Sequence, residues 1–228
     1  MSTLADNLSA ISARIASAAQ AVGRDPASVQ LLAVSKTKPA SAIREIHAAG
    51  VRDVGENYLQ EALTKQQALR DLPLIWHFIG PIQSNKTKAI AEHFDWVHSV
   101  DRLKIAQRLS EQRPAGLAPL NLCLQVNVSG EDSKSGCAPA DLPALAKAVA
   151  GLPNLRLRGL MAIPEPTDDR AAQEAAFARL RHLQESLGLG LDTLSMGMSH
   201  DLEAAIAQGA TWVRIGTALF GARDYGHS

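Results

Sequence analysis

Lys36 closes a short apolar run, Val29 to Ser35, and is followed by Thr37, Lys38 and Pro39. A run rich in branched residues that stops at a lysine reads as a buried strand, and Pro39 opens a helical pattern behind it. An amine delivered against apolar walls is a nucleophile. Desolvation disfavours the ammonium form, and the neutral amine condenses with an aldehyde to a Schiff base. For this stretch alone the plainer reading is a surface lysine capping a strand. Two further stretches carry the chemistry of an anion site: Ser195-Met196-Gly197-Met198-Ser199 and Arg214-Ile215-Gly216-Thr217. Their glycines permit close backbone approach, their hydroxyls add hydrogen bonds, and a helix start adds N–H donors. Arg214 lies in an apolar strand, where an unpaired charge is expensive, so it requires an acceptor from protein or ligand.

Other residues admit two readings each. Asn57 either lines a site or N-caps the helix behind it. His77, between Trp76 and Phe78, either serves a site or is a hydrogen-bonded core histidine. Lys38 and Lys134 read most simply as solvated, and Met161, Met196 and Met198 as core or pocket wall. The remaining histidines (His47, His93, His98, His182, His200 and His227) show no metal-ligand spacing, so no metal site is expected. No phosphate-binding P-loop, GxGxxG or GxSxG motif is present.

Elements must bring these residues together. Helical and strand patterns alternate along the 228 residues. The apolar runs predict strands over Val29–Lys36, Asp53–Glu56, Leu74–Gly80, Trp96–Val100, Leu120–Val128, Leu155–Ile163, Leu191–Met198 and Trp212–Ile215, with a helix between each pair. Asp101 reads as the N-cap of the helix after the fourth strand. Alternation of this kind indicates parallel strands, and eight repeats in about 200 residues fit a closed (β/α)8 barrel. A doubly wound open sheet is the alternative. An additional amphipathic helix over Ser2–Val22 would cap or flank the barrel. No linker or second domain is visible, so residues 1–228 are expected to form one domain. In the barrel reading the candidate residues all follow strands and share one mouth, with the first, seventh and eighth strands as neighbours. A lysine facing a phosphate cup suits pyridoxal 5′-phosphate (PLP), which offers an aldehyde to one and a phosphate to the other.

Composition narrows the function classes. Lys+Arg and Asp+Glu number 23 each, so a general attraction to nucleic acid or acidic membranes is not expected. Hydrophobic residues make up 46% and aromatics only 4%, so Ala, Leu, Val and Ile must build the core. The two cysteines, Cys123 and Cys137, form no CxxC pair and argue against a disulfide framework. The N-terminus lacks a signal peptide's apolar block and no run would span a membrane, so a cytoplasmic protein is expected.

A family resemblance joins these stretches. Leu31 to Pro39, Gly55-Glu56-Asn57-Tyr58, Trp76 to Gly80 with Gln83-Ser84-Asn85-Lys86, Gly159 to Ile163, Ser195 to Ser199, and Val213 to Thr217 through Phe220-Gly221 resemble, in order, the pyridoxal-phosphate homeostasis proteins of the YggS/PROSC type. The resemblance covers essentially the whole chain. It implies a PLP barrel of fold type III, like the N-terminal domain of alanine racemase, with PLP held on Lys36 as an internal aldimine. It also implies that Ser199, Gly216 and Thr217 bind the phosphate, that Arg214 faces the pyridine nitrogen and that Asn57 lines the ring. Lys134 matches a family lysine near the cofactor, and His200 stands where an acidic residue is expected. An arginine opposite the pyridine nitrogen donates and leaves that nitrogen unprotonated, which disfavours transamination. The expected function is therefore PLP binding and vitamin B6 homeostasis as a carrier or buffer, without catalytic residues. Partners would be PLP and the apo-enzymes that receive it, with no nucleic acid and no membrane, and the protein would be a monomer. The alternatives are a PLP-dependent amino-acid racemase or lyase, and an unrelated Schiff-base aldolase.

Overall fold

In the computed structural model, which describes residues 3–130, 132 and 135–221, all eight apolar runs form strands. They are β1 (Gln30–Val34), β2 (Asp53–Glu56), β3 (Ile75–Phe78), β4 (Trp96–Val100), β5 (Leu120–Gln125), β6 (Leu155–Met161), β7 (Thr193–Ser195) and β8 (Trp212–Ile215). Each pairs in parallel with the next, and β8 pairs back onto β1, with Leu32 opposite Arg214. The sheet is thus a closed barrel, and the open doubly wound sheet is ruled out. The helices are α1 (Leu4–Ala21), α2 (Ala40–Ala48), α3 (Leu59–Ala68), α4 (Thr87–His93), α5 (Leu103–Gln112), α6 (Leu142–Ala150), α7 (Arg170–Leu187), α8 (Leu202–Ala207) and α9 (Thr217–Phe220).

Strands alternate their side chains between two cores. The larger core lies between barrel and helices and contains Ile43 and Ile46 of α2, Val97 of β4 and Leu180 of α7. The smaller fills the barrel with Leu32, Ile79, Trp96, Cys123, Met161 and Trp212. Small residues permit the closest strand approach. A Cβ on Gly159 would overlap the Thr193 carbonyl, so the β6–β7 seam requires glycine there.

Five strands stop short of their apolar runs. Lys36 lies past the end of β1, in a turn, and β7 is only three residues long. Val126, Val128, Ala162 and Met196 are buried although they stand beyond strand ends. Val126, Ala162 and Met196 still donate their N–H groups to Met161, Ser195 and Trp212 of the neighbouring strands, so the backbone stays tethered to the barrel where the regular ladder has ended. Asp101 also departs from expectation. Arg102 is the N-cap of α5, and Asp101 instead accepts from the Gly136 N–H at 3.2 Å.

The helix α1 flanks its own barrel. Thr3 and Asp6 form a capping box at its start, and Ile11, Ile15 and Ala19 are buried. Arg14 pairs with Glu203 of α8 and donates to the Ser199 carbonyl at 2.9 Å, so α1 buttresses the loop after β7.

Candidate functional site

Lys36 owes its position to a buried cluster beneath its turn. Ser35 is fully buried, and its N–H donates to the Gly55 carbonyl of β2 at 3.0 Å. Its hydroxyl donates to Glu56 Oε1 at 2.6 Å. Lys65 of α3 reaches in from behind, and its Nζ donates to the Ser35 carbonyl at 2.7 Å, Glu56 Oε1 at 2.8 Å and Glu61 Oε1 at 2.7 Å. Glu61 in turn accepts the Thr37 N–H. Thr37 adopts φ 65°, a left-handed conformation that a β-branched residue takes only when its surroundings impose it. Burial raises the Glu56 pKa, and the hydrogen bonds from Lys65 and Ser35 oppose it. The turn that presents the half-buried Lys36 is therefore held on both flanks by one amine and two carboxyls.

Arg214 lies in β8 with 3% exposure. Its guanidinium donates to Ser195 Oγ at 2.7 Å and to the Ala162 carbonyl at 2.9 Å, so the acceptors demanded by the sequence are protein groups. Burial lowers its pKa to about 10, which leaves it a cation at neutral pH. Ser195 Oγ also lies 2.7 Å from His98 Nδ1, His98 Nε2 lies 2.8 Å from His77 Nδ1, and His77 Nε2 lies 2.8 Å from Asp53 Oδ1. His77 is thus a core histidine satisfied on both ring nitrogens and stacked on Trp96, not a residue of the mouth. Burial lowers the pKa of both imidazoles, most strongly for His98, which also faces the Arg214 charge.

Asn57 follows β2 but is not a helix cap, because Tyr58 occupies that position in α3. Its Oδ1 is buried without a hydrogen-bond partner. The loop after β3 presses against it: a Cβ on Gly80 would overlap the Asn57 carbonyl. Ser199 lies in the turn after β7, where Gly197 at φ 100° has no room for a Cβ beside Ala205. Gly216 precedes α9, packs on Val34 of β1 and leads into Thr217. The barrel order β7-β8-β1-β2 therefore carries Ser199, then Arg214 with Gly216 and Thr217, then Lys36, then Asn57, on four adjacent strands at one mouth. Lys38 belongs to the Lys36 turn, its N–H donating to the Ser35 carbonyl at 3.0 Å. Lys134 lies outside the described residues. The sequence reading missed Lys65 and Glu61, whose spacing resembles a surface helix pair, and it missed the linkage of Asp53, His98 and Ser195. Among the described residues no cluster of His, Cys, Asp and Glu is placed to hold a metal, and no helix is long and apolar enough to cross a membrane.

Comparison with known proteins shows what the chain is similar to. Residues 7–224 match the family described as alanine racemase, N-terminal domain. A relative from Pseudomonas aeruginosa, a pyridoxal phosphate homeostasis protein, is 81% identical over 226 residues, covering 99% of this chain and 98% of the relative. The protein of the same name from Escherichia coli is 54% identical over 235 residues, covering 99% of each. The structure of PipY from Synechococcus elongatus with PLP bound superposes with a TM-score of 0.85 at 43% identity, over 96% of this chain and 100% of PipY. Alanine racemase from Corynebacterium glutamicum shares the fold at 19% identity and a TM-score of 0.67, over 97% of this chain and 63% of the racemase.

Proposed function

Because the chain belongs to the pyridoxal phosphate homeostasis proteins, within the alanine racemase N-terminal domain family, we propose that it binds PLP at Lys36 and keeps it available to the cell without turning over a substrate of its own. The residues present suit the ligand. Asn57 Oδ1 is a buried acceptor without a partner, and such an atom costs about 1–3 kcal/mol until something satisfies it. PLP, when bound, supplies an aldehyde that an unprotonated amine captures reversibly with loss of water. Lys36 is that amine. Ser199, Gly216 and Thr217 receive the phosphate from the loops after β7 and β8. Arg214 donates toward the pyridine nitrogen and Asn57 lines the ring.

The observation that carries this reading is the Lys36 turn, fixed by Ser35, Glu56, Glu61 and Lys65 at the mouth where the four adjacent strands end. The carrier reading draws support from Arg214. Its buried guanidinium remains a donor at neutral pH, so it offers the ring nitrogen a hydrogen bond rather than a proton, and the ring is a weak electron sink. Apo-enzymes that need PLP are the proposed recipients. Packing of α1 on its own barrel favours a monomer, and the two unpaired cysteines suit the reducing cytoplasm.

The test is the visible spectrum of the purified protein with added PLP, before and after borohydride. We expect a band that borohydride abolishes, with the mass increment on the peptide containing Lys36. Lys36→Ala should lose both band and increment. Retention of the band in that variant would overturn the assignment. Exchange of an amino acid's α-proton with solvent, dependent on bound PLP, would make the protein an amino-acid racemase or lyase instead.

A further inference from the structure

The polar chain from Asp53 to Arg214 runs the depth of the barrel, from the first residue of β2 at one rim to β8 beneath the mouth. Its two ends dictate one direction. At the upper end Arg214 can only donate, so Ser195 Oγ accepts from it. Ser195 is fully buried, and its own O–H has one remaining partner, His98 Nδ1, which must therefore be a bare acceptor. His98 then carries its proton on Nε2 and donates to His77 Nδ1. His77 in turn carries its proton on Nε2 and donates to Asp53. Reasoned from the lower end, an ionised carboxylate only accepts, and the same arrangement follows. Reversing the chain would leave the buried Ser195 hydroxyl proton facing a donor on each side.

We propose that Asp53 and His77, far from the mouth, are positioning residues for the PLP site: they anchor the lower end of a relay whose direction Arg214 sets from above, and so hold Ser195 as the acceptor that orients the Arg214 guanidinium toward the ligand's ring nitrogen. This rests on the PLP reading above but concerns residues that do not touch the ligand. Loss of a residue that directly orients a ligating group commonly changes affinity by tenfold or more, which bounds the effect expected of Asp53, three side chains removed from Arg214.

Long-range proton–nitrogen correlation spectra of the histidine rings in the apo-protein test the chain without any substitution. Both His77 and His98 should carry hydrogen on Nε2 with Nδ1 bare, and an Nδ1–H on either overturns the proposal. Asp53→Asn, which replaces an acceptor-only carboxylate with a neutral amide at nearly unchanged volume, leaves Arg214 alone to set the direction; the Nε2–H tautomers should persist while PLP binding weakens by up to about tenfold. His77→Phe, which keeps a ring against Trp96, should weaken it at least as much and shift the absorption band, while the borohydride adduct stays on Lys36. Wild-type affinity and an unshifted band in both variants would overturn the proposal. Wild-type protein that takes up no PLP would refute the functional reading instead, and the apo-protein spectra would still decide the relay.

Discussion

Two imidazoles sealed inside the barrel tie the stability of the protein to pH. His77 and His98 are both fully buried, and burial is the largest cause of their lowered pKa values. Above the ordinary histidine pKa of about 6.5 neither the folded nor the unfolded chain binds these protons, and the contribution is fully present. As pH falls below that value the unfolded chain takes up protons that the fold refuses. Stability should then drop by up to about 1.4 kcal/mol per pH unit for each histidine until the folded pKa is reached. Urea unfolding at pH 7.5, 6 and 5 measures the slope, and a flat profile would mean that the rings ionise in place. A thiol tells the same story from the other side. Burial pushes Cys123 up to about 12 and Cys137 to about 11, so Cys123, which is fully buried, should not react with a maleimide at neutral pH until the protein unfolds, and the half-buried Cys137 should react slowly. Rapid labelling of Cys123 in the native protein would contradict that burial. At this scale the sequence named Lys36 and Arg214 from residue type and position. It left Asn57 and His77 with two readings each, because only the neighbours across the barrel decide between a cap and an orphaned acceptor, or between a ligand and a core ring.

The elements show where strand patterns mislead. The apolar run through Ser35 implies that Lys36 ends a strand, yet β1 stops at Val34, and a turn built on α3 side chains presents the lysine. Lys65 is 7% exposed at its side chain and stands between Glu56 and Glu61, so it holds two carboxyls in a region with little water. Removing one member of a buried ion pair typically costs about 3–5 kcal/mol, because the other charge is left without compensation. Lys65→Ala should lose stability of that order in denaturant titrations and should also weaken PLP capture. Adding Glu56→Gln should return part of the stability by neutralising the stranded carboxyl, but not the capture. If Lys65→Ala binds PLP as the wild type does, the turn is held by something other than this cluster. No periodicity announces such a cluster, since its members come from the turn after β1, from β2 and from α3 and meet only after the strands have paired.

At the scale of the whole molecule, the barrel and its strand order follow from the alternation of apolar runs and helices, because short parallel strands separated by helices have few ways to bury both faces. The Asp53–Arg214 chain does not follow from it. Its five residues lie on β2, β3, β4, β7 and β8, and only the stagger of a closed barrel stacks them. Closure also depends on single atoms. Gly159→Ala should cost about 4 kcal/mol or more, since the added methyl meets the backbone of β7 rather than a side chain that can move. A thermal midpoint within a few degrees of wild type would show that the seam can open. The pairing of β1 with β8 has a further result. Lys36 is made early in translation and Arg214 with Thr217 late, and neither end of the site exists for a ligand until the two strands meet. A nascent chain halfway through synthesis therefore lacks the assembled site. Once the ring closes, PLP at about a hundred times its dissociation constant would add about 2.7 kcal/mol to the closed form alone, so occupancy marks the chains that have finished folding.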